Sequence, residues 1–124
     1  MYKDRTEGGR ALTEKLQEYA GKNAVVLALP RGGITLGREV ANALKLPLDV
    51  IITRKIAVPY KPEYAVGAID IDGTGIFHER ESSVIDKEWL LEEIKTKQTE
   101  AQRRYALYRA GREPLTLHNK ISII

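Results

Sequence analysis

Cysteine is absent from this chain, and its 124 residues include one phenylalanine, one tryptophan, one methionine and two histidines. Without thiols there is no disulfide, no thiol nucleophile and no cysteine-ligated zinc. No apolar run approaches the ~18–20 residues of a membrane-crossing helix. The start, Met1-Tyr2-Lys3-Asp4-Arg5, lacks the apolar centre of a secretion signal. A cytoplasmic protein with no membrane contact is therefore expected. An excess of one charge is missing too: 20 Lys and Arg face 17 Asp and Glu, a net +3. That balance argues against nucleic acid as a partner unless the basic residues cluster. What remains is ordinary globular material, 43% apolar and 30% charged, of a length that suits one domain with a real core. No internal repeat and no Pro/Gly/Ser-rich linker divides it.

Asp4 and Glu7 read as an N-cap and its reciprocal N3 carboxylate. They open a helix that carries Leu12, Leu16 and Tyr19 or Ala20 at helical spacing, with Gly21 as its stop. Gly8 and Gly9 each cost ~1 kcal/mol inside a helix. Either the helix begins after them, or another element packs closely against that turn. Ala24–Leu29 is a continuous apolar run, the pattern of a strand buried on both faces in a parallel sheet. Ile34, Gly37, Val40, Ala41 and Leu44 then follow a helical period over 34–45, small enough at Gly37 and Ala41 to lie tightly on a sheet. Pro47 ends that helix, and Leu48–Thr53 is a second apolar strand. Strand, helix and strand within ~30 residues form a βαβ unit with 24–29 and 48–53 as parallel neighbours.

Arg54–Tyr64 carries two prolines and three basic residues and reads as a loop. Ala65–Ile71 is extended, and Asp72-Gly73 turns the chain back into Ile76-Phe77 as a hairpin. Ser82 and Ser83 read as a loop before a long helix, which Asp86 caps and Ile85 staples to Leu90. Its buried stripe is Leu90, Ile94, Ala101, Tyr105 and Tyr108, and Gly111 ends it. Its early turns are mixed to acidic and its last turns basic, with Arg103, Arg104 and Arg109. That order complements the helix dipole and reads as a solvated face. Lys120–Ile124 begins an apolar strand at which the sequence stops, the pattern of a truncated domain.

The strongest local signal is Pro30-Arg31-Gly32-Gly33, where a buried strand hands over to a helix. In open α/β sheets this is where ligands bind. The glycines let backbone N–H groups approach an anion, the helix N-terminus adds positive potential, and Arg31 offers a forked contact. The competing reading is a tight turn with a solvated arginine. Arg54-Lys55 stands at the end of the next apolar run, so in a βαβ unit it would share the crevice with Arg31. Asp49 falls at the opposite end of that run and reads as structural.

Asp70-x-Asp72-x-Thr74-Gly75 with Glu81 nearly matches a calcium-binding EF-hand loop. The run before it is strand-like and contains Gly67, where that motif needs a helix, so a polar hairpin is expected instead. His78 and His118 lie far apart with no third ligand at a metal-like spacing, so no metal site is assigned. Ser82 and Ser83 lack the setting of a nucleophile elbow.

Taken together, Asp4-Arg5 with Glu7, Leu27–Gly33, Leu48-Asp49-Val50 leading to Arg54-Lys55, and Pro62-Glu63-x-Ala65-x-Gly67-Ala68 resemble type I phosphoribosyltransferases, in a bacterial and archaeal group whose acceptor is mostly unassigned. The resemblance runs from about Asp4 to the last residue. It implies an α/β fold of five parallel strands flanked by helices. In this chain it implies a parallel βαβ core with a hairpin and a long helix, a single incomplete domain over 1–124 truncated before its last strands. It implies phosphoribosyl pyrophosphate with Mg2+ as substrate, and a nitrogenous acceptor that displaces pyrophosphate through an oxocarbenium-like transition state. Pro30, Arg31, Gly32 and Gly33 would form the pyrophosphate loop, with a cis peptide bond at Pro30–Arg31. Arg54 and Lys55 would be the catalytic cations on the leaving group, and Lys55–Glu63 a mobile loop over the site.

The departure is at the far end. The family's hydrophobic strand, acidic pair and Gly/Thr-rich loop hold the ribose and 5′-phosphate, and here Ile121-Ser122-Ile123-Ile124 matches the strand alone. A glycosyltransferase-type enzyme part, inactive by itself, is therefore expected, with a non-catalytic anion-binding or assembly module as the alternative. An open sheet edge with Ile121, Ile123 and Ile124 exposed would make the chain a homo-oligomer.

Overall fold

A run of five apolar residues with no polar interruption becomes the middle of a parallel sheet. Ala24–Ala28 (β1) is buried along its whole length. It pairs in parallel with Leu48–Val50 (β2) on one side and Ile121–Ile123 (β6, the last strand) on the other. The computed structural model describes residues 1–124, and the backbone divides into two compact units. The parallel sheet belongs to the first, Met1–Ile51 with Gly111–Ile124; the second is Ile52–Ala110.

In the first unit, helix α2 (Gly32–Leu44) joins β1 to β2, as the βαβ reading requires. Val40, Ala41 and Leu44 pack with Val26, and Leu16, Leu46, Leu48 and Ile123 surround them. A Cβ on Gly37 would lie 2.9 Å from the Cβ of Ala28, so α2 rests on the sheet at a distance only glycine permits. Strand β2 is shorter than the expected Leu48–Thr53. β1 ends at Ala28, whose carbonyl accepts from Ile51 N–H at 3.0 Å, and beyond it the ladder has no partner. Three parallel strands are present where the resemblance implied five.

Helix α1 (Arg5–Lys15) includes Gly8 and Gly9, both buried. A Cβ on Gly9 would lie 2.7 Å from the Cβ of Glu39, so close packing by α2 is the reason for the pair. Asp4 caps α1, accepting from Glu7 N–H at 2.8 Å. Glu7 returns the contact one residue earlier than a capping box would, to Lys3 N–H. The helix stops before Gly21: it runs to Lys15, and a 3₁₀ turn, Gln17–Tyr19, follows. Asp49 sits in the middle of β2, not at its far end. Its carboxylate accepts from Leu115 N–H at 2.9 Å and Val50 N–H at 2.8 Å, a structural use.

The second unit corrects the expected Arg54–Tyr64 loop. Arg54–Ala57 is a strand, β3, antiparallel to Ala65–Ile69 (β4), which turns back into Gly75–Phe77 (β5). Ile56 is fully buried, and with Val58, Val66 and Ile69 it forms a core covered by Phe77, Ile85, Leu90 and Ile94. The Asp70 carboxylate accepts from Asp72 N–H at 2.9 Å and Thr74 N–H at 3.1 Å, the role of a turn residue. The preceding segment is a strand, as the hairpin reading requires. Ser82 and Ser83 lie inside a short helix, α3 (Glu79–Ser83), in place of the expected loop.

The long helix α4 spans Lys87–Arg109 under the Asp86 cap, which accepts from Trp89 N–H at 2.9 Å. Ala101 is fully buried in its stripe. Arg109 departs from the solvated face: it is buried, its guanidinium carbon 4.3 Å from the centre of the Tyr105 ring. α4 closes on Ala110, which adopts the left-handed conformation at φ 48°. A residue with a Cβ pays about 1 kcal/mol for that backbone. Ala110→Gly, at an exposed position outside the helix interior, should therefore raise stability by about 1 kcal/mol in thermal unfolding. An unchanged or lower midpoint would contradict the left-handed cap.

Candidate functional site

The chain leaves β1 through Leu29-Pro30 and enters α2 at Gly32, and the peptide bond Pro30–Arg31 is cis, as the resemblance implied. Arg31 is the N-cap residue of α2. No side chain caps this end, and its first turn holds no acidic residue. The two glycines are not equivalent. A Cβ on Gly33 would meet only the Cβ of Leu29, at 3.9 Å, whereas one on Gly32 would collide with the Arg5 guanidinium. Arg5 is the residue that sequence reasoning missed. Its only signal is the Asp4-Arg5 pair, which capping of its own helix already explains.

The junction therefore presents a helix N-terminus that no side chain caps, where Ile34 N–H donates to the Arg31 carbonyl at 3.3 Å, with the Arg5 guanidinium against Gly32. No carboxylate of the protein pairs with either arginine. This combination suits an anion, because the dipole, the N–H groups and the arginines act with the same sign. Pro30, Arg31, Gly32 and Gly33 thus stand together in the first unit.

Arg54 and Lys55 belong to the second unit. They open β3, with Ile51, Ile52 and Thr53 between them and the end of β2, so they do not extend the parallel strand. The Arg54 guanidinium is already held, its Nη2 2.6 Å from the Glu100 carboxylate on α4. Lys97 stands 3.8 Å from the same carboxylate and 3.7 Å from Glu93. Lys55 has no carboxylate partner, and its Nζ lies 3.4 Å from the Pro62 carbonyl. Arg54 and Lys55 border a cleft of about 570 Å³, together with Val58, Pro62, Trp89 and Glu93. At another place in this unit, the Tyr64 hydroxyl donates to Glu81 at 2.7 Å. That hydrogen bond holds the Glu81 carboxyl below its ordinary range, and the carboxylate in turn raises Tyr64. Nowhere do three His, Asp or Glu side chains converge to hold a metal. No helix is long and apolar enough to cross a membrane.

A family model described as the phosphoribosyl transferase domain matches residues 3–91. Two Mycobacterium tuberculosis proteins, from strains CDC 1551 / Oshkosh and H37Rv, are named provisionally as phosphoribosyl transferases. Each is 39% identical over 129 residues, covering 100% of this chain and 28% of its own length. The crystal structure of TT1426 from Thermus thermophilus superposes with a TM-score of 0.80 at 30% identity, covering 98% of this chain and 58% of that one. This chain thus spans little more than a quarter of the length of the two mycobacterial relatives.

Proposed function

Because the chain belongs to the phosphoribosyl transferase domain family, we propose that the Pro30–Gly33 junction binds the pyrophosphate group of phosphoribosyl pyrophosphate. One observation carries this reading: α2 begins on Arg31 with no side-chain cap and no acid in its first turn, while α1 beside it is capped by Asp4. A helix start that lacks a side-chain acceptor is suited to an external one.

In the transfer that this implies, a nitrogenous acceptor attacks the anomeric carbon as pyrophosphate departs. Negative charge gathers on the leaving group, so fixed N–H groups and cations aimed at it lower the barrier. Arg31 and the Gly32 and Gly33 N–H groups take that role. Arg54 and Lys55 are the proposed cations on the leaving group; within their own unit Arg54 is engaged by Glu100, whereas Lys55 has no carboxylate partner. Magnesium, which the family resemblance implies, would be carried on the substrate's phosphates and would supply further positive charge to the leaving group.

The chain should bind inorganic pyrophosphate in calorimetry. No heat of pyrophosphate binding would overturn the loop's role and leave the assembly-module alternative.

A further inference from the structure

Helices α1 and α2 run side by side in the same direction: Arg5 lies by Gly32, Gly8 by Leu36 and Gly9 by Glu39. Their positive ends are therefore adjacent, an arrangement that their dipoles oppose. The two ends are treated differently. Asp4 neutralises the start of α1, and nothing in the protein neutralises the start of α2. Arg5, the first residue of α1, instead adds charge there. A Cβ on Gly32 would lie 2.7 Å from both Cζ and Nη2 of Arg5. The guanidinium thus occupies the space that glycine leaves open, and Gly8 and Gly9 let the helices approach closely enough for it to do so.

An arginine is a long, entropy-rich side chain with five donors. Here it rests on backbone at a strand-to-helix junction, and no carboxylate pairs with it. Both Arg5 and Arg10 of α1 are exposed, but Arg10 has a carboxylate partner, Glu39 at 3.8 Å.

We infer that Arg5 is the second guanidinium of the junction and the residue that selects a diphosphate over a monophosphate. This rests on the reading of Pro30–Gly33 as a pyrophosphate site. Arg31 and the α2 N–H groups suffice for one phosphoryl group. Arg5 extends the donor set so that two linked phosphoryl groups are held at once. The requirement for glycine at position 32 is then the requirement for this seat.

Calorimetric titrations with inorganic pyrophosphate and inorganic phosphate test the assignment, with thermal midpoints confirming folding. Arg5→Ala should weaken pyrophosphate about tenfold or more and phosphate less than about twofold. Arg5→Lys, which keeps the charge but loses the fork, should fall between. Gly32→Ala, which displaces the guanidinium without deleting it, should lower the preference for pyrophosphate in the same direction. Arg10→Ala should match the wild type. Unaltered pyrophosphate affinity in Arg5→Ala, or an equal loss for both anions, overturns the selection role while the pyrophosphate site stands. No pyrophosphate binding by the wild type overturns both.

Discussion

Gly67→Val should lower the thermal midpoint by about 10 °C, the consequence of roughly 3 kcal/mol of overpacking. Gly67 lies in β4 opposite Phe77 of β5. A Cβ there would lie 2.6 Å from the Ile76 carbonyl oxygen and would overlap the Phe77 ring. The ring can turn away, but the carbonyl is backbone and cannot yield without shifting β5. Val66, the preceding residue, is buried in the core of the same unit, so a displaced β4 carries the core with it. Thermal unfolding followed by circular dichroism checks this. A midpoint within a degree or two of the wild type would mean that the hairpin is not in this register.

The βαβ core is legible in the sequence because three signals agree. Ala24–Ala28 has no polar residue, the period of α2 puts Val40, Ala41 and Leu44 on one face, and Gly37 and Ala41 are small. The hairpin is legible from Asp72-Gly73, and Gly73 does take φ 79°. Strand β3 is not. It is an edge strand of its sheet, and edges carry charge as a matter of course. Arg54 and Lys55 therefore suggest a loop, although Ile56, the next residue, is fully buried.

If 48–53 were one strand, Arg54 and Lys55 would directly follow the end of β2. The real ladder stops at Val50, for want of β1 residues to pair with. Helix α3 is hidden for a local reason. Ser82 and Ser83 donate to the carbonyls of Glu79 and Arg80, and such back-bonding is as common in turns as in helix ends. The seat of Arg5 on Gly32 joins residues from two different helices, which no local spacing reveals.

Arg31→Ala should weaken pyrophosphate binding about 10- to 100-fold. Charge-assisted hydrogen bonds contribute about 1.5–3 kcal/mol each, and every 1.4 kcal/mol is about tenfold in affinity. The loss should fall on affinity alone, because Arg31 has no partner in the protein whose removal would disturb the fold. The thermal midpoint should stay within about 2 °C of the wild type, as for surface changes generally. Wild-type affinity should also fall as salt rises, since the site works by exposed charge. Equal affinities for the two proteins in calorimetry would remove Arg31 from the site.

The most direct measurement is a titration of the 15N-labelled chain with inorganic pyrophosphate, read amide by amide. If the start of α2, which no side chain caps, is an anion site, the largest shifts fall on the N–H groups of Arg31, Gly32 and Gly33. The capped start of α1 should move less, although it lies alongside. Shifts centred on the second unit, or no shifts at saturating pyrophosphate, would contradict the account.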